Sequence, residues 1–188
     1  MIEREVKLLF ASPSDAKRAI LTAGAAPLRC RRFQEDSLFD TDDESLRRRG
    51  CTLRVRVESG RSLLTFKGAV QPGPMKVREE HETVVGDGDV LIHLLQSLGL
   101  HVWFRYQKFR EEFAAEDATI ALDETPIGTF VEIEGGERAI VSLTLALGRS
   151  PDEFILDSYR GLFLTHRDAF GLQGANMVFA DEWSLRSS

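Results

Sequence analysis

Ionic residues stand two apart again and again in this chain, and that spacing belongs to β-strands, where alternate side chains share a face. In the first segment Glu3, Glu5 and Lys7 fall on one side, while Ile2, Val6 and Leu8 fall on the other. The pattern returns with Arg54 and Arg56, with Thr65 and Lys67, and with Arg78, Glu80 and Glu82. It returns again with Lys108, Arg110 and Glu112, with Asp123 at a strand end, and with Glu132 and Glu134. Leu53, Val55, Val57, Leu64, Phe66, Val131 and Ile133 fill the opposite faces. One such row is what the watered side of a sheet looks like when its other side packs on helices. So many rows of both signs, with few neutral residues among them, ask for more. Closing the sheet into a barrel turns the charged faces inward and the apolar faces outward against helices. Such an interior has to be wet, because a dry one could not offset the desolvation of so many charges.

The mixture of signs narrows the chemistry. Arginine forks onto phosphate oxygens and lysine acts as a point charge. Carboxylates hold Mg²⁺ or Mn²⁺, hard cations that bridge phosphate oxygens. A polyanion accompanied by metal ions needs both kinds of side chain, whereas a simple anion site would have no use for the acids.

The remaining patterns place helices between the strands. A strand over residues 2–10 is followed by a helix opened by Ser12-Pro13-Ser14-Asp15 and stopped at Gly24. Strands are expected at 31–40, 51–58, 62–67 and 75–85, the middle pair joined through Ser59-Gly60-Arg61. A helix over 87–98 precedes strands at 102–114, 118–123 and 129–134. A helix over 137–147 and a further helical segment opened by Ser150-Pro151 and continuing through 157–164 complete the order. The last two dozen residues are weakly patterned and end in a loose Arg186-Ser187-Ser188 tail. The class is therefore α+β, in one domain of 188 residues, with the barrel over about 1–135 and a helical part over about 137–188.

A net charge of −6 argues against a general nucleic-acid binder. No apolar run approaches the length that spans a bilayer, and the segment from Glu3 onward is too charged for a secretory signal. Cys30 and Cys51 form no metal or redox motif and are expected as free thiols, so a cytoplasmic address follows. A monomer or homodimer is expected, without nucleic acid or membrane as partner.

Glu3-Arg4-Glu5-Val6-Lys7 resembles the E-x-E-x-K signature of the CYTH superfamily, the triphosphate tunnel metalloenzymes. The resemblance extends in order through Phe39-Asp40-Thr41, Leu53-Arg54-Val55-Arg56, Leu64-Thr65-Phe66-Lys67-Gly68, Arg78-Glu79-Glu80-His81-Glu82, Lys108-Phe109-Arg110 and Gly128 to Glu134. It implies a closed antiparallel barrel of eight strands. It also implies that Lys7, Arg54, Arg56, Lys67 and Arg110 bind a triphosphate, with Arg78 and Lys108 as further phosphate ligands. Lys7, Lys67 and Arg110 are the expected catalytic residues. Glu3, Glu5, Asp123, Glu132 and Glu134 are the expected ligands of Mg²⁺ or Mn²⁺, directly or through water. Glu80 and Glu82 would orient basic side chains or serve a second metal. Two features depart from some members. No lysine follows Lys108, which leaves Arg149 or Arg160 to replace a C-terminal catalytic lysine, and Leu38-Phe39 stands where a tyrosine can precede the Asp-Thr pair.

Other residues fit blander roles. His81, His93, His101 and His166 have no ligand spacing. Trp103 and Phe104 are expected in the apolar layer outside the barrel. Arg47-Arg48-Arg49 reads as a solvated run largely cancelled by Asp42, Asp43 and Glu44, although it could draw an anion toward a tunnel mouth. The leading expectation is metal-dependent hydrolysis of inorganic tripolyphosphate, a nucleoside triphosphate or thiamine triphosphate. The alternatives are cyclisation of ATP by a class IV adenylyl cyclase, a non-catalytic polyphosphate or nucleotide-binding module, and an amphipathic sheet without a ligand.

Overall fold

The structure is a computed structural model and describes residues 1–115 and 117–180. The expected Arg186-Ser187-Ser188 tail lies outside the described residues. Eight antiparallel strands close into a barrel: β1 (Ile2–Phe10), β2 (Ala26–Thr41), β3 (Thr52–Glu58), β4 (Arg61–Lys67), β5 (Lys76–Val85), β6 (Leu100–Ala115), β7 (Ala118–Thr125) and β8 (Gly128–Gly135). Around the barrel they run β1-β5-β4-β3-β2-β6-β7-β8, and β8 pairs with β1 to complete the circle. Helices α1 (Pro13–Thr22), α2 (Ser45–Arg48), α3 (Gly88–Ser97), α4 (Glu137–Ala146) and α5 (Tyr159–His166) pack around it. The α+β class and the barrel topology agree with the sequence expectation. No helix among the described residues is long and apolar enough to cross a membrane.

The register sets opposite charges side by side across the ladder. Lys7 faces Glu132, Lys67 faces Glu80, Asp36 faces Arg56, and Arg110 faces Asp123. Local signals fix the ends of the elements. Ser12 Oγ accepts from Asp15 N at 3.1 Å to cap α1, and Asp87 caps α3 in the same way through Val90 N at 3.0 Å. Ser59 and Gly60 both take positive φ, 48° and 75°, so a two-residue turn joins β3 to β4 with the twist those strands need.

The apolar faces form three clusters. Ala16 and Ile20 of α1 and Ile140 of α4 cover Val6, Leu8, Ile120, Val131 and Ile133 on the outside of the barrel. Leu91 and Leu95 of α3 cover Phe39 and Val55. The third cluster lies partly on inward faces: Leu38, Phe104 and Phe130 meet Leu162 and Phe163 of α5, which closes one end. Phe104 was expected outside the barrel, but it shares its strand face with Lys108 and Arg110 and packs in this plug.

Two boundaries differ from expectation for physical reasons. Strand β2 begins five residues earlier than the pattern suggests, because residues 26–31 are exposed and carry no buried alternation. The helical segment opened by Ser150 stops after a single 3₁₀ turn (Pro151–Glu153). Ile155 then pairs with the backbone of Lys7, its N–H donating at 2.9 Å, and Ser158 caps α5 anew.

Candidate active site

The barrel encloses a cavity of about 1000 Å³. Every site residue named from the sequence lines it except Asp123, which is fully buried behind its wall. Strands from all around the barrel bring these side chains together, and they arrange themselves in three neighbouring groups.

At the acidic end, Glu3 accepts from Lys67 Nζ at 2.6 Å and from Arg78 Nε at 3.2 Å. Lys67 also pairs with Glu80 at 3.0 Å. Glu5 accepts from Lys76 at 2.7 Å and lies 3.6 Å from Lys7. Glu134 makes no ion pair among the described residues. Burial first, then the charges of Glu3 and Glu5, raise its pKa to about 7. In the middle, Lys7 pairs with Glu132 at 3.2 Å, and Arg110 bridges Glu132 and Asp123. Lys108 donates to Asp123 at 2.8 Å, and Tyr159 Oη donates to the same carboxylate at 2.6 Å. On the far wall Asp36 receives Arg56 through two hydrogen bonds of 2.8 and 3.2 Å. Arg54 donates to Thr65 at 3.1 Å and lies 3.4 Å from Glu82.

Electrostatics follow from this crowding. Burial works against the charge of Glu5, yet Lys7 and Lys76 outweigh it and hold the carboxyl far below its usual range. Burial also works against Lys7, but Glu5 and Glu132 keep it firmly protonated. Lys76 and Lys108 are pushed down to about 8, chiefly by burial and then by Lys7 and Arg110 respectively. Arg54 Nε is buried without a hydrogen-bond acceptor; its 3.4 Å approach to Asp36 is not a hydrogen bond. An orphaned guanidinium N–H in a charged cavity marks a place where an anion's oxygen would be welcome.

Among the described residues, no three His, Cys, Asp or Glu side chains stand arranged to hold a metal ion. Glu3, Glu5 and Glu132 are held by bases instead. The donor set still suits Mg²⁺ or Mn²⁺, being carboxylate oxygen throughout, and a cation bound beside Glu134 would favour the ionised form that burial, Glu3 and Glu5 oppose. Asp123 differs from the other acids in lying behind the cavity wall, where Lys108, Arg110 and Tyr159 hold it.

Several residues of the site were missed from the sequence. Lys76 extends the Arg78-Glu80-Glu82 row backward by one step of two, and Gln34 and Asp36 form their own row in β2. Both signals were present in the alternation. Tyr159 had none, because a helix far along the chain delivers it. Of the two arginines offered for a C-terminal lysine, Arg160 lines the cavity, whereas Arg149 is held outside by Glu153 and Phe10. Leu38 and Phe39 both serve apolar clusters. Asp40 is buried and accepts backbone N–H bonds from Leu46 and Arg47, so it fixes α2 and does not face the cavity.

The CYTH domain profile matches residues 1–143. The chain belongs to the CYTH domain family. A protein of Methanocaldococcus jannaschii, provisionally named an adenylate cyclase, is 28% identical over 176 residues, covering 86% of this chain and all of that one. The solved PH1012 protein of Pyrococcus horikoshii is 26% identical, with a TM-score of 0.74 over 85% of this chain and 98% of its own. A Hippeastrum protein, provisionally named an adenylyl cyclase and described as having a dominant triphosphatase activity, shares the fold at 18% identity. Its TM-score is 0.55 over 99% of this chain and 95% of that one.

Proposed function

We propose that this CYTH protein is a divalent-metal-dependent triphosphatase. The observation that carries the reading is the convergence of Lys7, Arg54, Arg56, Lys67, Arg78, Lys108 and Arg110, from five strands, on one cavity that Glu3, Glu5, Glu132 and Glu134 also line. In this reading the bases bind and align the phosphate chain, and Lys7, Lys67 and Arg110 counter the charge that builds as the terminal phosphoryl group leaves. Glu3, Glu5, Glu132 and Glu134 would hold Mg²⁺ or Mn²⁺, which would supply charge neutralisation to the phosphate chain. Asp123 positions Lys108 and Arg110, Asp36 positions Arg54 and Arg56, and Glu80 and Glu82 hold Lys67 and Arg54. The α5 plug keeps bulk water from one end of the barrel.

Hydrolysis by this fold is supported by the activity described for the Hippeastrum protein. Cyclisation of ATP is the second reading, and the name of the Methanocaldococcus jannaschii relative favours it. The same apparatus would serve there, with the ribose 3′-hydroxyl as nucleophile in place of water. One experiment separates the readings. The protein is incubated with tripolyphosphate, ATP or thiamine triphosphate plus Mg²⁺ or Mn²⁺, and orthophosphate, pyrophosphate and cyclic AMP are assayed separately. Orthophosphate is expected. Cyclic AMP with pyrophosphate from ATP would establish the cyclase reading, and no product from any substrate would defeat both. A tripolyphosphate-induced rise in melting temperature without turnover would leave a binding module.

A further inference from the structure

Two sequence features remain outside the triphosphate reading: the Arg47-Arg48-Arg49 run and Trp103. Arg47 and Trp103 line the same cavity as Lys7 and Arg54, joined there by Arg160 of α5. Trp103 therefore sits at the rim, not wholly in the outer layer where the sequence put it. Both guanidinium groups rest on its ring, Arg47 Cζ at 4.3 Å and Arg160 Cζ at 4.7 Å from the centroid.

The two arginines differ in what balances them. Arg47 Nε lies 2.9 Å from the buried carboxylate of Asp40, and its Nη2 lies 3.2 Å from Glu44. Arg160 makes no ion pair among the described residues, and burial followed by the charge of Arg47 pushes its pKa down. A half-buried cation that makes no ion pair, beside a second cation and opposed only at longer range by Glu44, is a place where an anion can bind. The rim is also continuous with the basic core. Tyr159 immediately precedes Arg160, and the ammonium groups of Lys108 and Lys7 lie 4.9 and 5.3 Å from its ring.

We propose that Arg160, with Arg47 and Trp103, forms a rim subsite for an additional phosphate, so that the barrel prefers linear inorganic polyphosphate longer than tripolyphosphate. The proposal rests on the triphosphate reading and names its substrate class. A phosphate leaving the row of Lys7, Lys108 and Arg54 meets a guanidinium free to fork onto it. A cationic head group, such as the thiazolium of thiamine triphosphate, meets two guanidiniums and is disfavoured. Asp157 also lines the rim and opposes an anion there, which supplies a control of opposite sign.

The test is calorimetric titration of the full chain, without divalent metal, with tripolyphosphate and with tetrapolyphosphate. The wild-type protein is expected to bind the longer chain about tenfold more tightly, the size of one charged hydrogen bond. Arg160→Gln removes most of that preference while changing tripolyphosphate affinity less than about threefold, and Arg160→Lys retains part of it. Asp157→Asn, in a protein whose melting curve is unchanged, enlarges the preference. Equal affinity of the wild-type protein for the two chains, or an equal loss for both in Arg160→Gln, would overturn the rim subsite and leave the triphosphate reading standing. Failure of the wild-type protein to bind either polyanion would overturn the rim subsite, whereas the triphosphate reading falls only if the assay with Mg²⁺ or Mn²⁺ yields no product.

Discussion

At the scale of single residues, the site is a set of buried charges matched closely to one another. Asp36 is fully buried and answers both Arg56 and Arg54. Asp36→Ala leaves two guanidiniums unmatched and is expected to cost about 3–5 kcal/mol in urea denaturation. Tripolyphosphate should restore part of that loss by supplying the missing negative charge, and no restoration would mean that the two arginines do not meet the ligand. Arg54→Ala leaves the better-aligned Asp36–Arg56 pair intact, so its effect belongs to binding. A loss of about 1.5–3 kcal/mol in tripolyphosphate affinity is expected by calorimetry. Glu134 gives a pH signature. Its pKa is 4.5 ordinarily and about 7 in the folded protein, so the folded chain keeps a proton that the unfolded chain releases in that window. Stability from this group is complete below the lower value and lost as pH rises through the upper one. Glu3, also raised by burial and by Glu5, acts in the same direction. The melting temperature of the metal-free protein should fall between pH 5 and pH 8, and Glu134→Gln should flatten that fall.

At the scale of elements, α5 decides what kind of barrel this is. It is short, and its buried residues Tyr159, Leu162 and Phe163 point into the inward-facing Leu38, Phe104 and Phe130. Strand alternation alone would have left those apolar side chains in a polar tunnel with nothing to pack on. Phe163 is fully buried, so Phe163→Ala is expected to cost about 3–5 kcal/mol. Because Tyr159 holds Asp123, the same change should weaken tripolyphosphate binding through Lys108 and Arg110. A destabilised variant with unaltered affinity would show that the plug and the site are independent. The strands and most helix ends were legible, since Ser12, Asp87 and Gly60 carry short-range signals. The break between Glu153 and Ser158 was not. Two competing serine caps eight residues apart can be reconciled only by the Ile155 pairing with Lys7, a contact between residues far apart in sequence.

At the scale of the whole molecule, an interior of ion pairs contributes little net stability, because desolvation of the charges offsets most of their attraction. The outer apolar clusters and the closed hydrogen-bond ladder carry the fold, and the charged lumen is maintained at their expense. A ligand that enters this lumen stabilises the whole barrel. Tripolyphosphate at a hundred times its dissociation constant should add about 2.7 kcal/mol to unfolding free energy, read as a rise in melting temperature. Added salt should reduce the rise only modestly, because buried pairs are screened less than surface ones. A rise abolished by moderate salt would place the polyanion on the outer surface.

The sequence by itself determined which faces are ionic and which are apolar, because a strand's period of two is a local property of the backbone. From Glu3, Arg54, Lys67, Arg110 and Glu132 alone, a barrel with a charged lumen was already the economical arrangement. Only the tertiary structure decided which charges meet. The pairing of Lys76 with Glu5, the occupation of Asp123 by Tyr159, and the gathering of Arg47 and Arg160 around Trp103 all join residues distant in the chain. Such contacts depend on strand order, register and the path of α5, and none of these is encoded in any one segment.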